Sequence, residues 1–100
     1  MKDHNYFIYN ITNKNKTVLY IGVTNDLQRR IFEHQNKVIK GFSSTYNCYY
    51  LIYYEHFQNI EDAIQREKEI KKWRREKKEN LIRDFNPNWK FLNQDIFESI

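Results

Sequence analysis

The chain has 100 residues, a net charge of +4, two Gly, one Pro and a single Cys. That length makes one domain, with a core near the lower limit for folding without staples. Hydrophobic residues at 40% and aromatics at 17% suffice to build that core, which excludes a wholly disordered chain.

Lone Cys48 excludes a disulfide framework and a Cys-based zinc site, and points to a reducing, cytoplasmic setting. The longest apolar run, Tyr49 to Tyr54, is too short to span a bilayer. Met1-Lys2-Asp3-His4-Asn5 has no apolar stretch behind its charge, so no signal peptide is expected. The expectation is one soluble domain over 1–100, its core at about 6–92.

Tyr6 to Ile11 is rich in aromatic and branched residues and predicts a strand. Thr12 to Lys16 is a polar turn, and Thr17 to Gly22 the returning strand of a β-hairpin. Gly22 falls where the backbone must bend or approach something closely. Thr24-Asn25-Asp26 supplies cap side chains for a helix from Leu27 to about Lys37, with Leu27, Ile31, His34 and Val38 on one face. Gly41 to Asn47 predicts a loop. Cys48 to Phe57 predicts a third strand, whose continuous apolar run suits a central position.

Asn59, with Asp62 three residues on, caps a helix from Ile60 to about Trp73. A shorter helix over Lys77 to Asp84 ends before Asn86-Pro87. Trp89, Phe91 and Leu92 pack back on the core. The order β-β-α-β-α-α implies an α+β fold, a small three-stranded, mainly antiparallel sheet flanked by helices.

Charge is concentrated. Between Arg66 and Lys78 stand eight basic and three acidic residues, a local +5 in a chain of +4. Such a segment suits a polyanion, and equally a solvated helix face. Lys68, Lys71, Lys72, Arg74, Arg75, Lys77 and Lys78 are its candidate nucleic-acid contacts.

Helical spacing sets polar residues among apolar ones. Arg30 flanks the stripe of the first helix and His34 lies within it, while Arg29 points to water. In the second helix, Ile60, Ala63, Ile64 and Ile70 define the stripe, with Glu67 near its middle and Glu69 outside it. A carboxylate there must be paired, protonated or metal-bound, and a buried Arg30–Glu67 pair is one solution. Tyr9 and Tyr20 come from adjacent strands. Hairpin tyrosines, an Arg–His pair and an inward Glu are the parts of a metal-assisted phosphodiester site: proton acceptor, phosphate clamp and cation ligand.

Phe7-Ile8-Tyr9 and Tyr20-Ile21-Gly22 resemble the two motifs of the GIY-YIG endonuclease superfamily. Val23 to His34 is similar to that family's Tyr-Ile-Gly-x-Thr-x-Asp-Leu-x-x-Arg stretch, and Ala63 to Lys71 to its glutamate helix. Leu81-Ile82 through Asn86-Pro87-Asn88-Trp89 resembles small stand-alone bacterial members related to the nuclease domain of the excision-repair incision subunit. Phe7 departs from the pattern by replacing the first motif's Gly.

The resemblance implies phosphodiester cleavage through one divalent cation, Mg²⁺ or Mn²⁺. Glu67 matches the metal-binding glutamate, Arg30 the phosphate-steadying arginine, and His34 a supporting histidine. Tyr9 and Tyr20 match the motif tyrosines, Tyr9 being favoured as the base. A second departure concerns the asparagine that some members place in the active site after the glutamate: Asn80 and Asn86 are both candidates, and neither matches its spacing. The functions to weigh are a DNA endonuclease of low sequence specificity linked to repair, a non-catalytic nucleic-acid-binding module, and a protein adaptor using Trp73, Trp89, Phe91 and Phe97. A partner protein for targeting fits the first.

Overall fold

The computed structural model describes residues 4–98; Met1–Asp3, read above for a leader, lie outside them. The elements are β1 (Tyr6–Thr12), β2 (Leu19–Thr24), α1 (Leu27–Gln35), α2 (Phe42–Thr45), β3 (Tyr50–Phe57), α3 (Ile60–Lys71), α4 (Arg75–Phe85) and α5 (Asn93–Glu98). Both strand pairings are antiparallel, in the order β2-β1-β3. The expected α+β class and element order are present, with α2 and α5 added.

The hairpin turn is organised by Asn13. Its Oδ1 accepts from the Thr17 and Val18 amides at 2.9 and 3.0 Å, and Lys16 takes the left-handed conformation at φ 60°. These bonds offer the backbone a turn in place of the ladder.

β1 occupies the centre, and its residues alternate between two cores. Tyr9 and Ile11 join Leu27, Ile31, Cys48, Leu51 and Ile96 beneath α1 and α5. Ile8 joins Ile52, Tyr53, Ala63, Ile70 and Ile82 beneath α3 and α4. The register slips between Asn10 and Ile11, leaving Ile52 opposite no β1 residue.

The expectation that the third strand is central is corrected. β3 is an edge strand whose outer rim is bonded by the chain's own tail. The Leu51 carbonyl accepts from the Leu92 amide at 2.7 Å, and the Leu51 amide donates to Asn93 Oδ1 at 2.8 Å. Asn86 bonds the Ile52 carbonyl at 3.0 Å. Covered on both faces and along its rim, β3 reads like a buried strand.

Two helical stripes also differ from their expected form. α1 stops at Gln35 and Lys37 turns left-handed at φ 54°, so Val38 is 61% exposed. On α3, Ala63 and Ile70 are buried, whereas Ile60 and Ile64 are more than a third exposed. The buried arc is therefore centred on the Ala63–Ile70 line. Glu67, about 50° from that line by helical geometry, is half-buried at its flank rather than in the middle.

No helix among the described residues is long and apolar enough to cross a membrane.

Candidate active site

On the α1 face a buried polar chain runs from β1 to α2. The Tyr9 hydroxyl lies 2.9 Å from His34 Nε2, and His34 Nδ1 lies 3.2 Å from Ser43 Oγ. All three residues are 3% exposed or less. A neutral imidazole is donor at one nitrogen and acceptor at the other, so the chain is satisfied in either direction. Tyr20 closes the group, its ring centre 6.5 Å from that of Tyr9 and 5.6 Å from that of His34.

Local sequence explains this placement. Asp26 caps α1 by accepting from the Arg29 amide at 3.0 Å, and this sets His34 two turns later against the sheet. Gly22 pairs with Tyr9 across the hairpin, and any β-carbon at Gly22 would land on the Tyr9 phenol. The glycine is there so that a tyrosine from the neighbouring strand can lie over it.

Electrostatics keep the cluster neutral. Burial raises the Tyr9 phenol well above its ordinary value, Tyr20 adds to the rise, and Arg30 opposes it. Burial, and then the charge of Arg30, lowers His34 to about 4. Arg30 sits at the rim, its side chain 32% exposed and its Nε 3.3 Å from Glu33 Oε1. That Nε is buried and makes no well-directed hydrogen bond. The contemplated Arg30–Glu67 pair does not form; Arg30 takes Glu33 instead.

Glu67 comes from α3, across the sheet from His34. It makes no hydrogen bond or ion pair among the described residues. Lys71, one helical turn further along α3, lines a groove at the free edge of β2 together with Tyr20. Tyr9, Tyr20, Arg30 and His34 are thus gathered together, and Glu67 stands a turn from the groove that Tyr20 shares. No group of three His, Cys, Asp or Glu side chains able to hold a metal gathers among the described residues.

The basic segment divides. Lys68, Lys71, Lys72 and Arg74 are exposed and unpaired among the described residues, and Lys78 is half-buried. Lys77 rests over the Trp73 ring at 4.3 Å. Arg75 is taken up structurally: it pairs with Glu79 at 2.9 Å and donates to the Thr17 carbonyl at 2.9 Å, clamping the hairpin turn to α4.

Asn86 is a staple, donating to the Ile52 and Lys90 carbonyls and accepting from the Lys90 amide. Asn80 is exposed and accepts from Arg83 at 3.0 Å. Trp73, Trp89, Phe91 and Phe97, the contacts of the adaptor reading, are half-buried and pack against the two cores. Ser43 was missed because it falls in a stretch without periodicity, nine residues from the histidine it touches.

A three-stranded sheet with paired strand tyrosines, an Arg–His helix face and a separate glutamate helix defines a class of small catalytic domains. Residues 5–80 match the family model described as the GIY-YIG catalytic domain. The chain belongs to this nuclease family. It is 32% identical over 84 residues to a UPF0213 protein of Bacillus pumilus, covering 84% of this chain and 85% of that one. A UPF0213 protein of Clostridium perfringens is 36% identical over 76 residues, covering 76% and 81%. A UPF0213 protein of Bacillus halodurans, solved by solution NMR, is 28% identical with a TM-score of 0.49, covering 78% of this chain and 82% of that one.

Proposed function

We propose that the chain is a metal-dependent DNA endonuclease of low sequence specificity. The observation that carries this reading is Glu67: a half-buried, unpaired carboxylate on the sheet-facing flank of α3, a turn from a groove lined by Tyr20. A carboxylate left unpaired but still reached by solvent is free to take a cation that arrives with substrate.

A single carboxylate suits Mg²⁺ or Mn²⁺, which keep most of their waters and complete their shell with phosphate oxygens. Held by Glu67, such an ion would supply positive charge to the pentacoordinate phosphoryl transition state and its leaving oxygen. Arg30, at the rim with an unsatisfied Nε, steadies a non-bridging phosphate oxygen. Tyr20, which lines the groove, is the hydroxyl that meets the attacking water. Tyr9, whose proton is held chiefly by burial, packs beside Tyr20 and bonds His34 instead of serving as the base.

Lys68, Lys71, Lys72, Arg74 and Lys78 hold phosphates without reading bases, so binding weakens steeply with salt. The domain leaves little surface for sequence readout. Branched, nicked or single-stranded DNA is therefore the expected substrate, which fits a cytoplasmic repair activity placed by a partner protein.

Cleavage of such DNA forms with Mg²⁺ or Mn²⁺ tests the reading. Glu67→Gln and Arg30→Ala are expected to lose roughly 10²–10³-fold in rate, the loss typical of removing a transition-state charge contact, with folding unchanged. Wild-type protein that binds DNA and cuts none of these forms, and shows no Glu67-dependent metal binding, is a non-catalytic binding module.

A further inference from the structure

β2 is the other edge of the sheet, and along it Leu19, Tyr20, Ile21, Phe42, Lys71 and Lys78 enclose a groove of about 450 Å³. Its two sides differ in chemistry. One is aromatic: the Tyr20 and Phe42 rings are near-parallel, 21° apart with centres 6.3 Å apart, and Phe42 packs on Tyr46 at 4.7 Å. Phe42 and Tyr46 are each 50% exposed. The other side is cationic, since Lys71 and Lys78 have no ion pair among the described residues.

A ligand matching both sides needs a flat π surface and an anionic group a few ångströms apart. A nucleotide has both, but in a duplex its base faces are covered by neighbouring pairs. Only an unpaired base offers a face to Phe42.

We propose that this groove holds one unpaired nucleotide of single-stranded DNA, its base stacked on Phe42 and its flanking phosphates on Lys71 and Lys78. The assignment rests on the nuclease reading only in taking DNA as the ligand. Because Tyr20 belongs both to the groove and to the tyrosine–histidine cluster, the stacked nucleotide would sit beside the phosphate to be cut.

The test is binding of the full chain, without divalent metal, to a labelled short oligodeoxynucleotide and to its duplex, read by fluorescence anisotropy. Phe42→Ala and Phe42→Leu are expected to weaken single-strand binding roughly 5- to 100-fold, the factor that one base–aromatic stack supplies, and to leave duplex binding unchanged. Phe42→Trp restores single-strand binding. Unfolding midpoints show whether each variant is folded, and the Leu–Trp contrast separates stacking from loss of apolar bulk.

Equal losses on both DNA forms, no loss on either, or Leu binding as well as Phe would overturn the proposal. So would wild-type protein that binds neither form. A second copy seated on this edge, seen as a concentration-dependent mass that Phe42→Ala abolishes, would overturn it too. Absence of cleavage by a wild type that shows the Phe42-dependent binding would sink the nuclease reading alone.

Discussion

Tyr9 and Asn10 are consecutive residues of the central strand, both buried and both polar, and they face opposite sides of the sheet. Tyr9 enters a hydrogen-bonded chain that ends on Ser43. The Nδ2 of Asn10 has no partner. The α1 face thus carries a closed polar chain in its core, with the Arg30 Nε left open at its rim. On the α3 face Arg66 bridges Glu55 and Glu69, but the Asn10 Nδ2 in the core and Glu67 at the flank are left without partners among the described residues. Positioning chemistry benefits from completed networks, whereas a group meant to receive a cation cannot be paired beforehand.

The strongest way to strain this contrast is acid. His34 is held at about 4 by burial and by Arg30, below its ordinary 6.5. Between those values the folded state binds fewer protons than the unfolded chain, so stability is complete above about pH 6.5 and falls as pH drops towards 4. The loss from this group reaches at most about 3 kcal/mol. Urea unfolding from pH 7 to 4 measures it, and His34→Gln should flatten the slope in that window. Equal slopes in both proteins would show that the cluster does not exclude the proton.

Gly22→Ala attacks the same face sterically. The new methyl would fall on the Tyr9 phenol, which at 1% exposure has nowhere to swing. Overpacking of that kind costs about 1–3 kcal/mol. Because the clash is at the hydroxyl end, the Tyr9–His34 bond is lost with it. Thermal unfolding checks the first effect, and the His34 imidazole shifts in a two-dimensional NMR spectrum check the second. Unchanged shifts would mean that the hairpin, not the ring, gives way.

The sequence made the two faces visible to different degrees. The hairpin, the capped α1 and the capped α3 were legible because alternation, period and cap residues coincide locally at Tyr6–Thr12, Asp26 and Asn59. The inward position of His34 followed from the same period. The centrality of β1 was not legible, since an apolar run such as Tyr49 to Tyr54 looks alike in a central strand and in an edge sealed by a distant tail. The placement of Glu67 shifted because Ile60 and Ile64 were counted as core. Period fixes which residues share a face, but only packing fixes which part of that face is covered. Ser43 and the Arg75 clamp are long-range contacts with no local signature.

Asn10 gives the smallest effect and the sharpest contrast with its neighbour. Its Nδ2 is buried on the α3 side of the sheet without a hydrogen bond, so the desolvation of that donor is uncompensated. Leucine has nearly the same shape and no polar atoms, and Asn10→Leu is expected to raise stability by about 1 kcal/mol. The corresponding loss of hydrogen bonding at Tyr9, in Tyr9→Phe, is expected to lower it by a similar amount, because His34 Nε2 then becomes the orphan. Opposite signs from adjacent residues would follow directly from the Tyr9 hydroxyl being partnered and the Asn10 Nδ2 not. Destabilisation by Asn10→Leu, measured by urea unfolding, would mean that this amide has a partner in solution, and a cation or water held under α3 would then have to be sought on the Glu67 side of the sheet.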